Sequence, residues 1–103
     1  MSISKKYLKS RPVCKITFRI PAEIGINHKT AYVLGNFNNW DKQAHRMKKL
    51  VKDGSFSVIV DLEVGQEYEF KYLIDDHIWL NDDSADKEVS THFGDSSNSV
   101  ISV

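Results

Sequence analysis

Alternation of apolar and polar residues is the clearest pattern in this chain, and it is strongest over residues 13–20. Every second position there is apolar, and the positions between them include lysine, threonine and arginine. Because successive side chains of a strand point to opposite faces, this period predicts a half-buried strand. Pro21 cannot donate a backbone hydrogen bond to a neighbouring strand, so the strand ends before it.

The same period recurs along the rest of the chain. Further strands are predicted over residues 30–37, 48–51, 56–62, 68–74, 78–80 and 99–103. Asp53-Gly54 is the strongest hairpin signal between them, and Gly65 and Asp75-Asp76 mark two more turns. Gly35, inside a predicted strand, indicates a close backbone approach or a bulge. No segment has a convincing helical period, and residues 81–97 are predicted to form a polar loop.

Short strands with a turn about every eight to twelve residues predict an all-β fold, an antiparallel β-sandwich of about seven strands. A chain of 103 residues has room for one domain. We expect residues 1–11 to be a loose leader, residues 12–103 to be the domain, and the last strand to close it as an edge. The residues expected in the core are Cys14, Phe18, Phe56, Tyr68, Phe70 and Tyr72.

Charge and composition exclude several classes of function. Basic and acidic residues balance at 14 each, whereas a nucleic-acid-binding domain would be strongly basic. No apolar run approaches the ~18 residues that span a bilayer, so no membrane partner is expected. There is no signal-peptide pattern, and the single cysteine leaves no internal disulfide. We therefore expect the protein to be cytoplasmic.

Acidic residues and histidines are present, but not in catalytic or metal-binding arrangements. The carboxylates fall in predicted turns and on polar faces, where nothing would separate the pKa values of an acid–base pair. The histidines stand apart, without the close-set spacing of zinc ligands, at positions His28, His45, His77 and His92. No glycine-rich phosphate loop is present. We expect no enzyme activity, no metal and no cofactor.

Both tryptophans lie outside the alternating runs. Trp40 follows a turn-forming stretch of asparagines, and Trp79 closely precedes Asn81 and two aspartates. One interpretation is that both are core residues at strand ends. The interpretation we favour is a flat, exposed face for a ligand. A pyranose suits such a face, because its axial C–H groups match an aromatic ring and its hydroxyls need polar partners.

Several motifs occur together in a fixed order. They are Gly35-Asn36-Phe37-Asn38-Asn39-Trp40, Asp53-Gly54 followed by Phe56, residues 68–75, Trp79, Phe93-Gly94 and Asn98. This order resembles the family 48 carbohydrate-binding modules. That family includes the glycogen-binding domain of the AMP-activated protein kinase β subunit and the early-set domains of isoamylases and glycogen branching enzymes. The resemblance implies an immunoglobulin-like early-set sandwich that binds α-1,4-linked glucan.

The resemblance also implies roles for particular residues. Trp40 and Trp79 would stack on glucose rings, and Lys71 would bond sugar hydroxyls. Phe93 stands where glycogen binders of the family often carry a leucine that inserts into the curve of the glucan. Asn98 or, with a shift of one residue, Ser97 would bond further hydroxyls.

The chain departs from the family pattern at the turn before Trp79. Asp75-Asp76 replaces the usual Asp-Gly, and one extra residue precedes the tryptophan. We expect both changes to affect the placement of the Trp79 ring.

Two functions are compatible with these features. The expected function is non-catalytic binding of glycogen or a starch-like glucan by a free-standing module, with a glycan-active enzyme as a partner in trans. The alternative is a protein-interaction module, an accessory or regulatory subunit of a glycan-active enzyme or kinase that binds no sugar. In that case the tryptophan face would be a hot spot for a partner protein.

Overall fold

The computed structural model describes residues 1–91 and 96–103. Within those residues the chain forms strands and one single-turn helix, α1 (Ala22–Gly25). The strands are β1 (Ser2–Tyr7), β2 (Val13–Ile20), β3 (Ala31–Gly35), β4 (Lys48–Lys49), β5 (Phe56–Glu63), β6 (Glu67–Ile74), β7 (Ile78–Leu80), β8 (Lys87–Ser90) and β9 (Ser97–Ser102). No helix in the described part of the chain has the length and apolar character needed to cross a membrane.

The strands form two antiparallel sheets that pack as a sandwich, as the sequence predicted. The four-strand sheet has the order β1-β2-β5-β4. The five-strand sheet has the order β3-β6-β9-β8, and β7 also pairs with β6. The antiparallel pairing follows from the short turns, since two-stranded hairpins join β4 to β5 and β6 to β7.

Aromatic rings pack against one another within the core between the sheets. Phe18 and Phe70 pack with ring centroids 5.0 Å apart, and Tyr72 meets Phe70 edge-on at 5.7 Å. Such pairs add about 0.5–1.5 kcal/mol each beyond the burial of apolar area. All the residues predicted for the core are buried, including the free thiol Cys14.

Most predicted strands are confirmed, two of them with shorter bounds. β2 and β7 have the predicted bounds, whereas the strands predicted over 30–37 and 48–51 are limited to Ala31–Gly35 and Lys48–Lys49. The hairpin at Asp53-Gly54 is confirmed, and Gly54 has the left-handed φ of 83° that the turn requires.

The expectation of a loose leader over residues 1–11 is corrected by β1. Ser2–Tyr7 pairs with β2 along its whole length. Lys5 also connects β1 to the other sheet, because its Nζ donates to Asp86 at 2.8 Å and to the carbonyl of Ser102 in β9 at 2.7 Å. The sandwich therefore includes residues before position 12.

The segment predicted as a loop over residues 81–97 contains the strand β8. β8 pairs with β9 and occupies the edge of the five-strand sheet, so β9 is an interior strand and not the predicted edge. β8 shows no period in the sequence because Val89 is its one apolar residue.

Candidate functional site

The outer face of the five-strand sheet carries a groove of about 730 Å³. The described residues that line it are Trp40, Glu69, Lys71, Trp79, Val89, Ser90, Thr91, Ser96 and Asn98. Four of the predicted site residues thus meet in one groove: Trp40, Lys71, Trp79 and Asn98. The fifth, Phe93, lies outside the described residues.

Strand alternation places the polar groove residues on the face away from the core. In β6, Phe70 and Tyr72 point into the core, so Glu69 and Lys71 point outward. Trp79 of β7 lies directly opposite Leu73 of β6 and shares this outer face. The alternation read from the sequence therefore fixes both the core and the groove.

Three apolar side chains on the outer face of the five-strand sheet are paired with groove residues. Leu34 pairs with Lys71, Leu73 pairs with Trp79, and Val100 pairs with Glu69, so all three point away from the core. They are nevertheless buried, with exposures of 3%, 4% and 1%. Burial of these side chains on the outer face stabilises the sheet at the positions next to Lys71, Trp79 and Glu69.

A network around Asn38 shapes the loop that carries Trp40. The carbonyl of Gly35 accepts the Trp40 N–H at 2.9 Å. Asn38 Oδ1 accepts the Gly35 N–H at 3.0 Å, and its Nδ2 donates to the Val33 carbonyl at 3.1 Å. These two backbone partners fix the orientation of the amide, so Nδ2 also donates to Nδ1 of His45 at 2.9 Å.

The backbone at the end of this loop is left-handed. Asn39 has φ 57° and Trp40 has φ 56°. Asparagine tolerates this region, but a tryptophan there costs about 1–2 kcal/mol. The surrounding hydrogen bonds hold Trp40 in this conformation, and its side chain remains 37% exposed. Retained strain of this kind is typical of functional sites.

The loop is fastened to β6 beside Glu69. The Asn36 N–H donates to the Glu69 carbonyl at 3.1 Å, and Asn36 Oδ1 accepts the Glu69 N–H at 3.2 Å. A Cβ on Gly35 would lie 2.4 Å from the Glu69 carbonyl oxygen, which confirms the predicted close backbone approach.

The turn before Trp79 is built on Asp75-Asp76. Both residues have left-handed φ values, 51° and 62°. The Asp75 carboxylate bonds His28 Nδ1 at 2.7 Å and accepts the N–H groups of Lys29 and Thr30. These contacts, chiefly the one with His28, lower the pKa of Asp75 to about 2. Beyond the turn, Trp79 is 52% exposed and lines the groove.

Of the two polar candidates at the start of β9, Asn98 and Ser97, it is Asn98 that lines the groove. Its Nδ2 donates to Oε1 of Glu69 at 3.1 Å. Ser97 instead accepts from Asn81 and donates to Glu88, outside the groove lining. Sequence reasoning missed Glu69. The available signal was its position two residues before Lys71 on the same polar face.

The site lies within a segment that matches a known family. The family model of the glycogen recognition site of AMP-activated protein kinase matches residues 23–103. The chain belongs to this family. No curated protein matches the chain. Membership of the glycogen recognition family supports carbohydrate binding as the general function. The match begins within α1, yet β2 pairs with β5 over eight residues, so the sandwich extends beyond the matched segment.

Proposed function

We propose that the groove binds an α-1,4-linked glucan such as glycogen or starch. Trp40 and Trp79 stack on glucose rings, while Lys71 and Asn98 bond the hydroxyls at their rims. The observation that carries the proposal is the presence of two partly exposed indoles, an ammonium group and an amide in one groove. Family membership supports the glucan as the ligand.

Stacking supplies most of the binding free energy in this proposal. Covering about 100 Å² of apolar surface on each indole contributes roughly 2–3 kcal/mol before ordering costs. Two such contacts and a few hydrogen bonds correspond to a Kd of about 10⁻³ to 10⁻⁵ M. This modest affinity suits docking on a polymer that offers the same site many times.

The polar groups supply orientation. Lys71 carries three N–H donors, and the amide of Asn98, whose Nδ2 donates to Glu69, also carries an acceptor oxygen. Sugar hydroxyls both donate and accept, so a glucose ring meets both kinds of partner. We further propose that docking on the polymer serves a glycan-active enzyme supplied in trans. A cytoplasmic location stays a prediction.

Affinity electrophoresis in native gels containing glycogen tests the proposal. The wild type is expected to be retarded, and Trp40→Ala and Trp79→Ala to lose most of the retardation. Ile59→Ala is the matched control, because Ile59 is an exposed apolar residue on the four-strand sheet. Its mobility should follow that of the wild type.

The opposite results are equally clear. A wild type that runs unretarded, or a Trp40→Ala protein as retarded as the wild type, would overturn the proposal. Unretarded wild type that co-purifies with one protein through the tryptophan face would establish the interaction function instead. Incubation with glycogen is expected to release no reducing sugar, and release would reveal a hydrolase.

A further inference from the structure

Two of the described groove residues are charged, and their charges are opposite. Glu69 and Lys71 are separated by one residue on β6 and point to the same face. At a rise of about 3.3 Å per residue their Cβ atoms lie roughly 6–7 Å apart. The formal charge of the described groove lining is therefore zero, although a cation lines it.

The carboxylate of Glu69 is held in the groove. Asn98 Nδ2 donates to Oε1 of Glu69 at 3.1 Å. The backbone N–H and the backbone carbonyl of Glu69 are both hydrogen-bonded to Asn36. Its side chain is also half-buried. A carboxylate fixed in this way repels a ligand anion more effectively than one that swings into solvent.

This arrangement bears on which sugars the groove accepts. Lys71 alone would attract a phosphorylated sugar, because an ammonium group is a common phosphate ligand. Glu69 cancels that attraction at short range, so a phosphate that enters the groove loses part of its hydration without a net electrostatic gain. We propose that Glu69 is a specificity-determining residue that makes the groove select uncharged glucan over glucan that carries phosphate. This inference rests on the proposed glucan-binding function.

The amide of Asn98 allows the charge to be tested separately from the geometry. In Glu69→Gln, the new Oε1 still accepts from Asn98 Nδ2, so the hydrogen bond and the side-chain volume are kept while the charge is lost. Asp61→Asn is the matched control, because it removes one exposed negative charge from the four-strand sheet, where Asp61 pairs with Lys15.

The experiment is a calorimetric titration with maltoheptaose and with maltoheptaose phosphorylated at C6 of one glucose. The wild type and Asp61→Asn are expected to bind the uncharged sugar roughly threefold to tenfold more tightly. Glu69→Gln should bring this ratio to about one or invert it. Raising the salt to 0.5 M should shrink the discrimination by the wild type.

Each contrary outcome has a distinct meaning. Equal binding of both sugars by the wild type, or an unchanged ratio in Glu69→Gln, would overturn the role of Glu69 and leave the proposed function standing. A wild type that binds neither sugar would overturn both. A thermal unfolding midpoint of Glu69→Gln close to that of the wild type ensures that the comparison concerns folded protein.

Discussion

The ammonium nitrogen of Lys42 lies 3.5 Å from Oδ1 of Asp76. The pair joins the loop that carries Trp40 to the turn that precedes Trp79. Both tryptophans therefore belong to elements that touch each other outside the groove. Since the two charged side chains are exposed, solvent and salt screen their attraction.

Lys42→Ala should have a small effect. An exposed ion pair contributes about 0–1 kcal/mol, so we expect glycogen affinity to fall by no more than about twofold at low salt and not at all at 0.5 M NaCl. Calorimetry at the two salt concentrations measures this. A loss of tenfold or more would mean that the pair determines the spacing of the two indoles.

Replacing Asn38 should loosen the Trp40 loop. Asn38→Ala deletes hydrogen bonds to Gly35, Val33 and His45, and should lower the free energy of unfolding by about 1–3 kcal/mol. Asn38→Asp should cost more, because it keeps the acceptor for Gly35 but sets an oxygen against the Val33 carbonyl.

Urea unfolding measures both Asn38 variants. Asn27→Ala is the control, because that exposed amide lies outside the loop and should change stability by less than about 0.5 kcal/mol. Asn38→Asp with wild-type stability would show that the amide donor is dispensable.

Gly35→Ala should damage both stability and binding. Its Cβ would lie 2.4 Å from the Glu69 carbonyl oxygen and 2.5 Å from the Phe37 ring, so the backbone and the ring must shift, at a cost of about 1–3 kcal/mol. The shift would disturb the Asn36–Glu69 pairing and hence the groove. Thermal unfolding and glycogen-gel mobility measure the two effects.

Gly65→Ala is the informative comparison for Gly35→Ala. Gly65 has φ 83°, but a Cβ added there would meet no atom of the described residues within 4 Å, so this variant tests left-handed strain without a clash. It should lose about 1 kcal/mol of stability and keep its glycogen binding. If Gly35→Ala and Gly65→Ala lost glycogen binding to the same extent, the loss would not come from the clash at Gly35.

Acid should remove the stabilisation that Asp75 provides. Its pKa is lowered from 3.8 in the unfolded reference to about 2 in the folded protein, chiefly by the hydrogen bond from His28. Because its pKa is lower in the folded protein, the ionised Asp75 carboxylate stabilises the fold. This stabilisation is complete above about pH 4 and is lost as the pH falls toward 2. Asp75→Asn should therefore be less stable than wild type at pH 5 and should converge with it near pH 2.

Unfolding midpoints from pH 5 to pH 2 test this convergence. Asp83→Asn is the control, because Asp83 is an exposed carboxylate whose contact is with the amino terminus. Its difference from wild type should not follow the same course. A constant gap between wild type and Asp75→Asn across the range would refute the assignment.

Strands were predicted best from the sequence where the strand itself alternates between apolar and polar residues. β2 and β6 alternate between a buried and an outer face, so their core-facing residues and the outward direction of Lys71 could be read directly. β1 and β8 could not, because their side chains are mostly polar and they become strands through partners far away in the chain. Edge strands of this composition are common, since polar edges discourage aggregation.

The sequence singled out Trp40, Lys71, Trp79 and Asn98, which line the groove, but it did not reveal how the groove is built. Trp40 and Trp79 stood out because turn-forming residues surround them. The left-handed backbone of Trp40 could not be foreseen, because an aromatic residue there is unfavourable until the loop compensates for it. Glu69 was missed because alternation assigns it a face but does not reveal its partner on β9.

The position of the indoles makes intrinsic tryptophan fluorescence a direct probe of the groove. The chain has two tryptophans, and both line the groove, while the rings at the centre of the core belong to phenylalanine and tyrosine. Emission excited at the red edge of the indole band therefore arises entirely from the groove walls. A spectral shift on adding an oligosaccharide would report occupancy directly, with no label and no interfering signal from the interior.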